Sequence, residues 1–139
     1  MKFHPPGTRF NQFEIISYPI HNDIYIEYIC LDHERSSPVL LKTLQPELQS
    51  SRIASEYFAQ SGSSWVSLGT HPHIVCCHEV LKPDGSDETY LVLQAVSAEK
   101  EKNSFSLQSW LIPGQPFPVI QALLFALQIA RGMHFVVDR

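Results

Sequence analysis

Glycine is scarce in this chain, with six residues in 139, and none falls in the stretch SYPIHNDIY, Ser17 to Tyr25. Side chains throughout that stretch obstruct the close approach to backbone that glycine allows. Cysteine is also sparse and odd in number, at three. Together with an opening MKFHPPG that has no hydrophobic signal core, this argues against a disulfide framework and leads us to expect a reducing, cytoplasmic setting. Ten basic residues stand against fourteen acidic ones, a formal net charge of -4, with no basic run to follow a phosphate backbone. Nucleic acid is therefore not expected as a partner. Long apolar runs are lacking too. The most apolar segment, Ala122 to Val137, is interrupted by Gln128, Arg131 and His134 and falls short of the roughly 18 to 20 residues a bilayer requires, so no membrane span is read.

What is present suits one compact unit with a real core: 44% of residues are hydrophobic, and the length is too short for two independent domains. The stretch HPHIVCCH, His71 to His78, holds three histidines and two cysteines in eight positions. These side chains ligate zinc, and a small metal-binding protein using His71, His73, Cys76, Cys77 and His78 is one reading. Zinc needs four converging ligands, however, and Ile74 to Leu81 reads as a strand. On a strand Cys76 and His78 share one face while Cys77 points to the other, so this stretch offers no converging four and no metal is expected.

The coarse order of elements is three strands, a helix, two strands, then helices. FEIISY (Phe13 to Tyr18) and DIYIEYICLD (Asp23 to Asp32) are rich in Ile and Tyr, and PVLLKTL (Pro38 to Leu44) follows the polar turn HERSS. From Ser50 to Leu68, Ala54, Phe58, Trp65 and Leu68 recur at helical spacing, although Ser61-Gly62-Ser63-Ser64 makes an intrinsically weak centre. IVCCHEV and TYLVLQAV (Thr89 to Val96) are strands about a PDGSDE turn. SAEKEKNS reads as a solvated linker, SLQSWL as a short helix capped by Ser106, and Val119 to Val137 as a long helix.

This order, with five words in sequence, resembles the N-terminal lobe of bacterial serine/threonine protein kinases and the first helices of the C-terminal lobe, from about Phe10 to Arg139. VLLKTL resembles the third-strand motif, WVSLGTHPHIV the end of helix C and its loop, YLVLQAV the fifth strand and hinge, SLQSWL helix D, and IARGMHFVVDR the end of helix E. The resemblance implies an α+β fold: a five-stranded antiparallel sheet with helix C, then helices D and E of an incomplete C-lobe. It implies segments at 1–9 (tail), 10–97 (N-lobe), 98–104 (linker) and 105–139 (start of the C-lobe). It further implies that Lys42 meets nucleotide phosphates, that Gln94 and Val96 offer backbone contacts to adenine, and that Leu93 is the gatekeeper. HPHIVCCH becomes the loop and fourth strand, with structural His and Cys.

Several kinase parts are missing. The glycine-rich loop corresponds to SYPIHNDIY, where Pro19 lacks an amide hydrogen and Asp23 adds negative charge. Counting back from Leu68 puts the helix C glutamate position at Ser61; Glu56 is five residues earlier, about 140° round the helix. Leu40 stands where a small residue usually packs on adenine. The catalytic aspartate and the magnesium ligands of the family lie beyond the stretch matched by this sequence. The expectation is a degenerate, pseudokinase-like domain with no resident cofactor, ATP and magnesium being what an intact family member would hold. The last helix is apolar almost all round, which implies a protein partner or self-association over that face.

Overall fold

The computed structural model describes residues 3–96 and 107–139. They fall into two compact units: one holds 1–69 with 76–95, the other 70–75 with 96–139. The expected linker SAEKEKNS and the cap Ser106 lie outside the described residues.

The first unit is an antiparallel sheet with a helix against it. Its strands are β1 (Arg9–Phe10), β2 (Phe13–Ile15), β3 (Ile20–His21), β4 (Tyr25–Asp32), β5 (Ser37–Leu44), β6 (Cys77–Leu81) and β7 (Tyr90–Gln94). They are ordered β1-β2-β4-β5-β7-β6, with β3 also pairing to β4. Among the described residues the sheet has seven strands, two more than the expected five. The first expected strand breaks after Ile15, where Ser17 Oγ accepts the Ile29 amide at 3.1 Å in place of a ladder carbonyl, and pairing resumes past Pro19 as β3; β1 is an added short edge segment. The strand expected from Ile74 starts only at Cys77, since Ile74 is turned back into a bridge with His71.

Alternation on β4 and β5 sorts side chains onto two faces. Ile26, Tyr28, Cys30, Val39 and Leu41 join Phe13, Ile15, Tyr90 and Val92 in one buried cluster. Burial pushes the Cys30 thiol up to about 12, so this cysteine is an inert apolar filler. Leu44, Leu91 and Leu93 form a second cluster with Phe58 and Cys77. Phe58 comes from α2 (Arg52–Ser67), which follows the short α1 (Pro46–Gln49).

Helix α2 starts where Ser51 Oγ accepts the Ala54 amide at 3.3 Å. It ends where Gly69 takes φ +71°, a left-handed conformation suited to glycine. Its buried residues are Phe58 and Gly62. The serine-rich centre is tolerated because Gly62, having no side chain, lets the helix lie directly on the sheet. A Cβ at Gly62 would stand 2.2 Å from Leu91 Cδ2 and 3.0 Å from Val80 Cγ2. The inward helix position is therefore Gly62, one residue past Ser61, which is exposed.

In the second unit, a 3-10 turn over Leu107–Trp110 stands in place of the expected helix, and α3 covers Val119–Val137 as its periodicity predicts. Gly132 meets the 71–75 loop so closely that a Cβ would lie 2.9 Å from the His73 carbonyl oxygen. The Phe135 ring lies 4.6 Å from that of His71. Most of the remaining surface of α3 is bare: Val119, Ile120, Leu123 and Met133 are between 63% and 75% exposed. No membrane span is expected from the sequence; α3, 19 residues long with a mean hydropathy of 1.5 over an 18-residue window, is nonetheless long and apolar enough to cross one by length and composition alone.

Candidate nucleotide site

The candidate site is the face of β4, β5 and β7 that carries Lys42. Antiparallel register places Lys42 directly opposite Glu27 on β4 and opposite Leu91 on β7. Such cross-strand neighbours interact directly. The Lys42 ammonium lies 3.1 Å from Glu27 Oε1, and it stands 4.1 Å from the centre of the Tyr25 ring. Both side chains of the ion pair are about three-quarters covered, at 22% and 25% exposure, so the pair is shielded more than an ordinary surface bridge. Carboxylate and aromatic face together satisfy the cation from within the sheet.

Helix α2 contributes no acid to this face. Its residues that pack against the second cluster are Ala54, Phe58, Trp65 and Val66, with Gly62 buried among them. Glu56 instead bonds Arg52 at 2.7 Å on the exposed side of the helix. Leu40 shares the Lys42 face and pairs with Leu93, which is 4% exposed. Leu40 thus packs on Leu93, the residue that the sequence resemblance reads as the gatekeeper.

The connection that would correspond to the glycine-rich loop is closed on itself. Asn22 Oδ1 accepts the amides of Ile24 at 2.9 Å and Tyr25 at 2.8 Å, and the Asn22 amide donates to the Tyr25 carbonyl at 3.0 Å. This is a side-chain-capped turn, in which Asn mimics a backbone acceptor. The turn is also tied to the end of β5: the Gln45 amide donates to Ile24 O at 2.8 Å, and Gln45 Nε2 donates to Asn22 O at 2.5 Å. Three amides that could face an anion are consumed internally, and Pro19 has none. Asp23 sits exposed at the tip.

Of the hinge residues, Gln94 lies at the end of β7, where its amide donates to Cys76 O at 2.8 Å and its side-chain Oε1 accepts the Cys76 amide at 3.2 Å. Val96 follows β7 and is 45% exposed. In the HPHIVCCH stretch, Cys76 Sγ and His78 Nδ1 are 3.8 Å apart on one face. Cys77 is buried on the other, and burial pushes its thiol up to about 11. Among the described residues, no three His, Cys, Asp or Glu side chains converge to hold an ion.

Sequence reasoning missed Glu27 and Asn22. The signal for Glu27 was available: a hairpin turning over His33 to Ser36 pairs Asp32 with Ser37, and the same ladder carries Glu27 to Lys42. Asn22 carried a turn signal but was read only as part of a connection.

No protein-family model matches the chain, and no curated protein does. Solved structures do. A point mutant of the Mycobacterium tuberculosis PknI kinase domain matches with a TM-score of 0.78 at 15% identity, over 99% of this chain and 53% of that one. The PknI kinase domain itself gives 0.74 at 15% identity, over 99% and 52%. The apo form of PpkA-294 gives 0.59 at 20% identity, over 68% and 39%. The fold is that of a protein-kinase N-lobe with a C-terminal helix, and the chain spans about half the length of the PknI domains it matches.

Proposed function

We propose that this chain is a degenerate protein-kinase-like domain that serves as a non-catalytic binding or regulatory module. The carrying observation is that Lys42, which in the kinase fold would face nucleotide phosphates, is engaged by Glu27 and Tyr25 of the adjacent strand. A nucleotide would have to displace the Glu27 carboxylate, approach the exposed Asp23, and find the nearby amides already bonded to Asn22. Each of these opposes a polyanion, and phosphate binding depends on the reverse arrangement. No resident cofactor follows from this reading.

The contact surface in this proposal is the bare side of α3. Residues such as Ile120, Leu123 and Leu127, at 75%, 63% and 45% exposure, are each worth about 1.5 to 3 kcal/mol when fully covered. A patch beyond a few hundred Å² marks association. We favour protein, a partner chain or a second copy, over lipid as the cover. Gln121, Gln128, Arg131 and His134 interrupt the helix, and the Gly132 side already lies against the protein's own 71–75 loop. A cytoplasmic location accompanies this proposal, with no role in binding nucleic acid.

A second reading has a specific observation behind it. Coverage of about half of each PknI domain favours an N-terminal part of a larger or split serine/threonine kinase that binds ATP. Thermal denaturation with and without ATP and magnesium separates the two. The module predicts an unchanged midpoint for wild type and for Lys42→Ala; a nucleotide-dependent rise that is lost in Lys42→Ala supports the kinase part.

A further inference from the structure

The first unit holds a cavity of about 510 Å³ whose lining includes none of the residues of the Lys42 face. One wall is the end of α1 and the first two turns of α2, with Gln49, Arg52 and Glu56; the other is the connection from β6 to β7, with Lys82, Asp87 and Thr89. The helix wall is held by its own bonds. Gln49 Nε2 donates to Leu44 O at 2.7 Å and to Thr43 Oγ1 at 3.1 Å, Ser55 Oγ donates to Gln49 O at 2.9 Å, and Arg52 and Glu56 pair at 2.7 Å. The opposite wall has groups left over. Thr89 is 7% exposed and its carbonyl accepts Thr43 Oγ1 at 2.7 Å, but its hydroxyl makes no hydrogen bond among the described residues. Leaving a buried hydroxyl unbonded is costly, so a group that bonds it from the cavity is favoured. Lys82 and Asp87 stand on either side of a turn in which the Ser86 amide donates to Pro83 O at 3.1 Å. They form no ion pair with each other or with any other described residue.

We propose that this cavity binds a small zwitterion of the amino-acid type, its carboxylate on Lys82 and its ammonium on Asp87, with the Thr89 hydroxyl bonding the ligand at the floor. The charges of the lining cancel, Arg52 and Lys82 against Glu56 and Asp87. A simple anion would gain Lys82 but face Asp87 and Glu56, and a simple cation would meet the reverse conflict. A ligand carrying both charges satisfies both sides. The start of α2 adds to the anion-binding half, because its first turn carries no acid and the N-terminal end of a helix favours negative charge. The volume lies in the range of small-molecule sites. This site shares no residue with the α3 surface and does not depend on it.

The test is titration of the nitrogen-15-labelled 139-residue chain, followed by backbone amide shifts, with four separate probes. Glycine is the smallest such zwitterion and L-glutamine adds an uncharged side chain; acetate and methylammonium each carry one of the two charges. Glycine and L-glutamine are expected to give saturable shifts at Lys82, Asp87 and Thr89 with a Kd of about 1 to 10 mM, and the single-charge probes none. Thr89→Val keeps the shape of a side chain whose hydroxyl bonds nothing in the fold, so the melting midpoint is retained while binding weakens about twofold to tenfold. Lys82→Ala and Asp87→Ala are each expected to weaken binding about threefold to tenfold, and Arg9→Ala to bind as wild type. No saturable shift up to about 50 mM of either zwitterion, equal shifts with acetate alone, or binding unaltered in both Lys82→Ala and Asp87→Ala overturns the proposal.

Discussion

Replacing Gly62 with alanine tests the packing of α2 on the sheet, because two opposed effects of known size meet at one atom. Alanine gains about 1 kcal/mol of intrinsic helix propensity over glycine at an interior position. The new methyl would stand 2.2 Å from Leu91 Cδ2 and 3.0 Å from Val80 Cγ2, both partners lying in the sheet under the helix. Leu91 is 3% exposed, so its side chain has little open space to enter. Overpacking of this kind costs about 1 to 3 kcal/mol, and the net expectation is a loss of up to about 2 kcal/mol. Urea denaturation followed by far-UV circular dichroism measures it as a lower midpoint at unchanged slope. Gly62→Glu, which would place an acid at the inward position of the helix, is expected to prevent stable folding, since the carboxylate would enter the cluster of Leu91, Phe58 and Leu93 uncompensated. A Gly62→Ala protein more stable than wild type would refute the close approach of helix and sheet.

Further outcomes follow from other contacts. Asp32 has a fully enclosed side chain. Burial alone would raise its carboxyl, but the Arg35 guanidinium at 2.5 Å and the amides of Glu34 and Arg35 overcome this and hold it below the usual carboxylate range. Its contribution is present above the unfolded-state value and is lost as pH falls through the lowered folded-state value; Asp32→Asn should cost about 1 to 3 kcal/mol near neutrality and flatten the acid limb of a stability–pH curve. Asn22→Ala should leave the melting midpoint within about 1 kcal/mol of stability while speeding amide exchange at Ile24 and Tyr25, because both lose their acceptor. The double variant Leu123→Glu, Leu127→Glu should reduce association in sedimentation velocity without lowering the midpoint of the sheet unit; unchanged association would move the contact surface off α3.

The strongest sequence signals were those repeated along an element. The run Val119 to Val137 predicted α3, and VLLKTL and YLVLQ predicted the paired strands β5 and β7. Single-residue geometry was not legible. Which residue of α2 faces the sheet, the buried Gly62 or the exposed Ser61 beside it, turns on about 100° of rotation, which the sparse apolar pattern of that helix does not fix. The Glu27–Lys42 pair depends on hairpin register, the closed turn on one Asn side chain, and the His4–Glu88 contact spans 84 positions. Long-range pairs of that kind leave no periodic trace. The apolar character of α3 was legible, whereas its exposure became visible only in the structure.

Calorimetric titration of the purified chain with ATP and magnesium tests the central claim most directly, because Lys42 is claimed to be neutralised within its own sheet. The account predicts no saturable heat up to about 1 mM nucleotide, for wild type and Lys42→Ala alike. Saturable binding in the micromolar range that disappears in Lys42→Ala would contradict it.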